Sequence, residues 1–414
     1  MYYLLLTLIV GLGIFLCEIK PGKYKTLTYL AICLVAMVTI VTFRYGLGYD
    51  FYSYRDIFNG IAETASIGEL LMSSDYRAYP LFALIAYAIG AASLNYIWFN
   101  AVIGMLIFGL AVLAIYQYSK NAWISVFSYV ALLFFYMGMN FVRQSLALSI
   151  IMLSYPYLKA KKFFPYSAFI LIASCIHFYA LIMIPAYFLL ISKPTAKYYM
   201  VMTSIGLFAF ATSTQILNFL ASVSPKVKIY VETFYLQQGS NFRIALLPIT
   251  YFLVLLAFKK VLLKQDTGNS IFLNLAFYGV LFNIMAVKHS ILARFSDYFL
   301  IFMVFAFSEI AYCLRPVIVL DTDKHKEQSR EKRLLKQNLK AQWFNYRWYV
   351  CSLILVLMIN HTLAAVNNFH GVFPYHTIYN EDWKRKVDYI YYEYGNGQWP
   401  LWEIDPEELP KEFR

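Results

Sequence analysis

Long apolar runs, each near the length of a bilayer-crossing helix, alternate with short polar turns along most of this chain. They fall at about 2–18, 26–43, 79–93, 95–117, 122–139, 142–158, 165–190, 199–221, 244–263, 270–287, 296–314 and 348–367. Roughly 20 apolar residues carry a helix across the hydrocarbon, so the pattern predicts an all-α, polytopic membrane helix bundle of about 10–12 transmembrane helices. The bundle occupies 1–367, with outer loops at 44–78 and 222–243, a cytoplasmic loop at 315–347 and an outer tail at 368–414. The 79–93 run is short, and 165–190 is interrupted by His177 and Pro185. The alternating short strands of a membrane β-barrel are absent.

Composition agrees with the pattern. The chain of 414 residues is 61% hydrophobic and 14% charged, against about 25% charged in soluble proteins. Its 37 Tyr and 35 Phe suit interfacial belts first and sugar-stacking platforms second. The net charge of +12 is accounted for by basic residues in inner-face loops, and no basic–aromatic module suggests a nucleic-acid partner. Cys17, Cys33, Cys175, Cys313 and Cys351 all lie in apolar segments, with no metal-binding spacing. The N-terminus, lacking a basic leader, reads as an uncleaved first span.

Charge orients the bundle. Lys324, Lys326, Arg330, Lys332, Arg333, Lys336 and Lys340 put 315–347 inside, as Lys20, Lys23 and Lys25 do for the first loop. The acid-rich tail, from Glu381 and Asp382 to Glu412, and the 43–78 stretch then lie outside. Simple alternation places the basic turn Lys159–Lys161–Lys162 on the wrong side. The conflict disappears if 79–93 enters and leaves on the outer side and 165–190 bends back to the inner side, as broken helices lining a cavity do. Lys120, Lys193 and Lys197 then also lie inside.

Against this apolar background the ionisable residues of the outer half stand out, because placing them there is costly. FRYGLGYDFYSY follows a span directly and brings Arg44, Asp50 and two glycines, Gly46 and Gly48, to its mouth. The glycines suit a tight turn or a close backbone approach. Tyr49, Tyr52 and Tyr54 read as belt residues or sugar contacts, Arg55 and Asp56 as solvated. In MGMNFVRQSLALSII, Arg143 opens a helix beside Asn140 and Gln144; it either snorkels to headgroups or forks two phosphate oxygens. His177 lies roughly 18–20 Å into its helix at about 1.5 Å per residue, as a satisfied core group or as a general base or hydrogen-bond donor. Arg294 and Asp297 are spaced for a local ion pair, or for an arginine that reaches phosphate while Asp297 orients it. Lys288 and His289 add positive charge nearby.

HExxH, Cys/His metal sets and GxSxG are missing, so no metal is expected and neither a metal-dependent enzyme nor a serine hydrolase is supported. Arginines converging on the outer half suit an anionic lipid headgroup, a phosphate or diphosphate.

FRYGLGYDFYSY, MNFVRQSLALSI, KAKKFFPYSAFILIASCIHFYALIMIPAYFL, ARFSDYF and FPYHTIY, in this order, resemble the EpsG family of Wzy-like polysaccharide polymerases. The long basic loop and the long outer tail depart from that pattern. The resemblance implies a glycosyltransferase of the bacterial cytoplasmic (inner) membrane, similar in architecture to the GT-C superfamily and needing no cofactor. Its donor and acceptor would be oligosaccharides on undecaprenyl diphosphate, joined at the periplasmic or outer face. Membrane lipids, a chain-length co-polymerase and a flippase would be its partners. On this expectation Arg143 and Arg294 hold the diphosphate with Arg44 as a third clamp, and His177 or Asp50 is the base. Asn140, Gln144, Asp297, Tyr49 and Tyr54 support them, and 222–243 with Trp383, Trp399 and Trp402 covers the cavity.

Three other activities share parts of this pattern. A flippase for the lipid-linked oligosaccharide would expose charge on both sides and favour internal repeats, and none is evident. An O-antigen ligase would use the same donor chemistry on a different acceptor. A membrane O-acyltransferase would use a histidine but leave the arginines without a role. A structural scaffold leaves the whole outer ionic cluster unexplained.

Overall fold

The computed structural model describes residues 1–19, 21–223, 242–316 and 329–394. Among them the fold is all-α. The first half of the chain forms α1 (Tyr2–Gly13), α2 (Lys23–Phe43), α3 (Phe51–Ala62), α4 (Ile67–Met72), α5 (Pro80–Ala91), α6 (Tyr96–Tyr118), α7 (Ala122–Ala131), α8 (Phe134–Asn140), α9 (Val142–Leu153) and α10 (Tyr155–Lys159). It continues with α11 (Phe163–Ser174), α12 (Met183–Leu190), α13 (Ala196–Val223), α14 (Arg243–Ala257), α15 (Lys259–Gln265), α16 (Ser270–Ala286), α17 (Ala293–Leu300), α18 (Met303–Leu314), α19 (Ser329–Val366) and α20 (Glu381–Tyr394).

Local chemistry sets many of the boundaries. Asn95 and Asn121 cap α6 and α7 by accepting the amides of Ile97 and Ile124, and Ser66 caps α4 through Glu69. Pro80 and Pro156 sit in the first turns of α5 and α10, where a missing N–H costs nothing. Leu133, at φ 75°, interrupts α7 and α8, which meet at 49°.

Six of these helices are long and apolar enough to cross a bilayer, and up to nine when each of three bent pairs counts as one span. The shorter apolar helices Pro80–Ala91, Val142–Leu153, Phe163–Ser174 and Phe178–Leu190 account for the remaining apolar runs. The chain is therefore a multi-pass membrane protein. Helix α19 runs unbroken from Ser329 to Val366, so part of the polar 315–347 stretch is a helical extension of the final span rather than a loop. The 44–78 stretch likewise holds α3 and α4, and α3 packs on α5. Most of 222–243, the centre of 315–347, Lys20 and the tail beyond Tyr394 lie outside the described residues.

The two ends of the bundle differ. At one end Lys159 pairs with Asp266 at 3.0 Å, Lys259 donates to the Pro194 carbonyl at 2.9 Å, and Glu18 meets Arg315 at 3.6 Å. Glu18 also accepts from Tyr346 and Trp123, which ties the π-helical turn Ile14–Ile19 to α7 and α19. The basic turns thus gather together. The 163–190 stretch starts and finishes at this end. It turns back at Cys175–His177, because neither arm is long enough to cross alone. A cavity of about 440 Å³ lined by Tyr251, Phe307, Trp348 and Tyr349 holds none of the ionisable residues singled out above.

Candidate active site

At the opposite end the glycine-rich turn after α2 lies directly on the C-terminus of α8. Gly48, at φ 92°, brings its backbone so close that a Cβ there would stand 2.7 Å from the Met139 carbonyl oxygen. Its amide donates to the Gly371 carbonyl at 2.9 Å. The expected close approach is therefore real, and it is to the protein's own chain. Asn140, fully buried, accepts the amide of Asp50 through Oδ1 at 2.9 Å. Asp50 stands at the N-cap of α3, yet its side chain does not cap the helix. Burial pushes its carboxyl above the usual range, while Arg294 and Arg143 pull it back down.

Arg143, in the first turn of α9, lays its guanidinium 4.1 Å over the ring of Tyr79 and 5.8 Å from that of Tyr54. Its amide donates to the Tyr54 hydroxyl at 3.3 Å, and its Nε is buried without a hydrogen-bond partner. A cation stacked this way is held in place, worth about 0.5–2 kcal/mol. Arg294, on α17, stacks 4.1 Å over Phe141, the residue between Asn140 and α9. Gln144 locks the two helices together: its Nε2 donates to the Arg294 carbonyl and to Asp297 Oδ2, both at 2.9 Å. Its Oε1 is buried and unpartnered.

His177 sits at the break between the arms of 163–190, in extended backbone at φ −144°. Its Nδ1 hydrogen-bonds the Tyr298 hydroxyl, next along α17 from Asp297, and Arg143 and Arg294 both lie within electrostatic reach. The Cys175 carbonyl accepts the amide of Leu81 at 3.0 Å, which anchors the start of α5, beside Tyr79, to the same break. Four separate stretches of sequence thus bring Asp50, Asn140, Arg143, Gln144, His177, Arg294 and Asp297 into one polar cluster.

A model of the EpsG family matches residues 27–318. The chain belongs to the EpsG family. No curated protein and no solved structure matches it. EpsG membership points to a polysaccharide-polymerase type of membrane protein, and every residue of the cluster falls within the matched range.

The other singled-out residues of this EpsG-family chain have surroundings that the sequence did not show. Arg44 is 1% exposed; its guanidinium is 3.5 Å from Asn100 and 5.8 Å from the Phe51 ring, with Tyr96, Tyr2 and Tyr375 as its electrostatic neighbours. Its Nε and Nη1 are buried without a hydrogen-bond partner, and the enclosure sets it apart from Arg143 and Arg294, which stack on the rings of Tyr79 and Phe141. Arg55 is not solvated: it stacks 4.5 Å over Tyr52 and pairs with Asp388 at 3.6 Å, because α20 folds over α3. Trp383 donates to the Tyr45 carbonyl at 2.8 Å and so fastens α20 to the glycine turn, while Trp399 and Trp402 lie outside the described residues. Lys288 is committed to the carbonyls of Phe210 and Ala211, and His289 bonds Ser213, so both face α13. Tyr54 lies within the cluster, whereas Tyr49 is 43% exposed at its rim, edge-on to His370 at 6.3 Å.

Sequence reasoning missed His370. Its Nδ1 lies 3.1 Å from Asn140 Nδ2 and its ring 4.3 Å from that of Phe141, which adds to the cluster a residue from beyond the matched range. The signal present was turn chemistry alone: Asn367, Asn368 and Gly371 around an isolated histidine. The nearby His376, in FPYHTIY, stacks 3.8 Å on Trp383 instead. Among the described residues no group of three or more His, Cys, Asp or Glu side chains is arranged to hold a metal ion.

Proposed function

We propose that this chain is a polysaccharide polymerase that joins oligosaccharide repeat units carried on undecaprenyl diphosphate at the outer face of a bacterial inner membrane. The observation that carries this reading is two stacked arginines flanking one uncapped carboxylate in a member of the EpsG family. Arg143 and Arg294 hold the donor diphosphate. The acceptor sugar hydroxyl gives its proton to a base and attacks the donor's anomeric carbon. The bond from that carbon to the diphosphate breaks, and its electron pair leaves with undecaprenyl diphosphate. The guanidinium groups stabilise the charge growing on the leaving oxygens, the part a divalent cation takes in other glycosyltransferases. Asp50 is the better-placed base, since its carboxylate is not used for capping, whereas Nδ1 of His177 is taken by Tyr298. The gathering of basic turns at the other end supports the outward placing of the site.

The test is the purified protein in vesicles with a lipid-linked repeat unit, followed by a glycan ladder on a gel. A ladder with wild type and none with Arg143→Ala is expected. Transbilayer movement of the lipid-linked unit without any ladder would instead make the chain a flippase. Transfer of a single unit only to lipid A core would make it a ligase.

A further inference from the structure

The outer stretch 368–378 runs alongside the glycine turn and is fastened along its length. Tyr45 donates to the His376 carbonyl, Ile378 to that of Phe43, and Gly48 to that of Gly371. The Tyr375 hydroxyl ties it to α2 by donating to the Ile40 carbonyl at 2.7 Å, and the Tyr2 hydroxyl of α1 donates to the Val372 carbonyl at 2.8 Å. Within this strap His370 holds φ 58°, a left-handed conformation that a branched or bulky residue resists and asparagine or glycine accepts. Such a conformation persists when the surroundings impose it, and it is enriched at functional sites.

The hydrogen bonds fix the histidine's chemistry. Asn140 Oδ1 accepts from the Asp50 amide, so the amide nitrogen is the end that faces His370. That nitrogen can only donate, so Nδ1 of His370 accepts and the neutral ring carries its proton on Nε2. A continuous chain of bonds results: His370 holds Asn140, and Asn140 holds the backbone of Asp50. Burial, with Arg294 nearby, pushes the His370 pKa down to about 3, which keeps the ring in this accepting state at neutral pH.

We infer that His370 is a positioning residue of the active site, acting through Asn140 to set the place of Asp50, so that one residue beyond the family-matched range belongs to the catalytic apparatus. The inference rests on the polymerase reading above. Asparagine at 370 would keep an acceptor where Nδ1 stands and tolerates the left-handed backbone, whereas alanine supplies no acceptor.

The experiment measures kcat and KM for polymer formation, across pH, in wild type, His370→Ala, His370→Asn and Phe373→Leu, with thermal unfolding of each. Phe373 packs on Tyr2 and Tyr136 in the same strap, so its variant reports loosening of the strap. The expected result is kcat lowered at least tenfold in His370→Ala with KM within twofold, and recovered to within threefold in His370→Asn. Phe373→Leu should lose stability while keeping most of its kcat. Wild-type kcat in His370→Ala would overturn the inference, as would equal loss in the alanine and asparagine variants tracking their melting temperatures. If wild type itself makes no polymer, the polymerase reading fails instead, and the two failures are told apart by that control.

Discussion

Replacing Gly48 by alanine tests whether the glycine turn is the foundation of the site. The new Cβ would stand 2.7 Å from the Met139 carbonyl oxygen and 3.3 Å from the Asn140 Cα, both backbone atoms in a helix that is buried throughout. Neither can swing aside as a side chain would. Overpacking of this kind costs about 1–3 kcal/mol. Holding alanine at φ 92° adds about 1–2 kcal/mol, partly offset by about 0.4–1 kcal/mol from the stiffer unfolded chain. The net loss is about 2–4 kcal/mol, or else the turn lifts from α8 and carries Asp50 out of register. A shift of about 1 Å at a reacting group costs on the order of 100-fold in rate. Gly46 is the internal comparison. Its φ of 62° is strained for alanine too, but the Cβ would meet Val387 Cγ2 at 2.8 Å, a side chain on helix α20 rather than the backbone that carries Asn140. Thermal unfolding in detergent and polymer formation should therefore both rank Gly48→Ala well below Gly46→Ala. Equal behaviour of the two, or wild-type stability and activity in Gly48→Ala, would refute the reasoning.

Arg143→Lys keeps the charge but loses the planar face on Tyr79 and the forked donors, so polymer yield should fall about 10–100-fold, read from ladder intensity. Gln144→Leu removes the donor shared by the Arg294 carbonyl and Asp297, which should cost about 1–3 kcal/mol by chemical or thermal unfolding and abolish most activity. Asp388→Asn weakens the contacts to Tyr45, Tyr52 and Arg55; with this carboxylate about a third exposed, stability should drop by no more than about 1 kcal/mol, while tryptic cleavage at Lys384–Lys386 accelerates. Acidification acts through His370. Its folded pKa is below the free value, so its contribution is complete above about pH 6.5 and is lost as pH falls towards about 3. Asp50 is shifted upward and works in the opposite sense, so His370→Asn should flatten the fall in melting temperature between pH 7 and 4.

The apolar periodicity made the membrane bundle legible, because hydrocarbon demands a long apolar helix wherever the chain crosses. The break at His177 was also legible, since the basic turns on either side had to lie at one end. Arg143, Gln144, Arg294 and Asp297 could be read because a polar group in an apolar run stands out by contrast. Arg44 shows the limit of that contrast. It is equally conspicuous in sequence, but only packing reveals that Asn100 and a set of aromatic rings enclose it. His370 shows the converse, lying in a polar stretch where nothing distinguishes it until folding brings it to Asn140. Arg55 was misread for the same reason, as its partners Asp388, Tyr391 and Tyr392 are more than three hundred residues away in the chain.

The bond from the Tyr2 hydroxyl to the Val372 carbonyl joins residues 370 positions apart. During synthesis the first helix reaches the membrane long before the strap does, so its partner for that bond does not yet exist. Closing so long a loop costs about 5 kcal/mol in chain entropy, recovered only when the whole strap zips onto the glycine turn. The site is thus completed only after the final span has been made. A chain stalled before its final span would hold both arginines yet lack the strap and its histidine, and would occupy the membrane without the complete site.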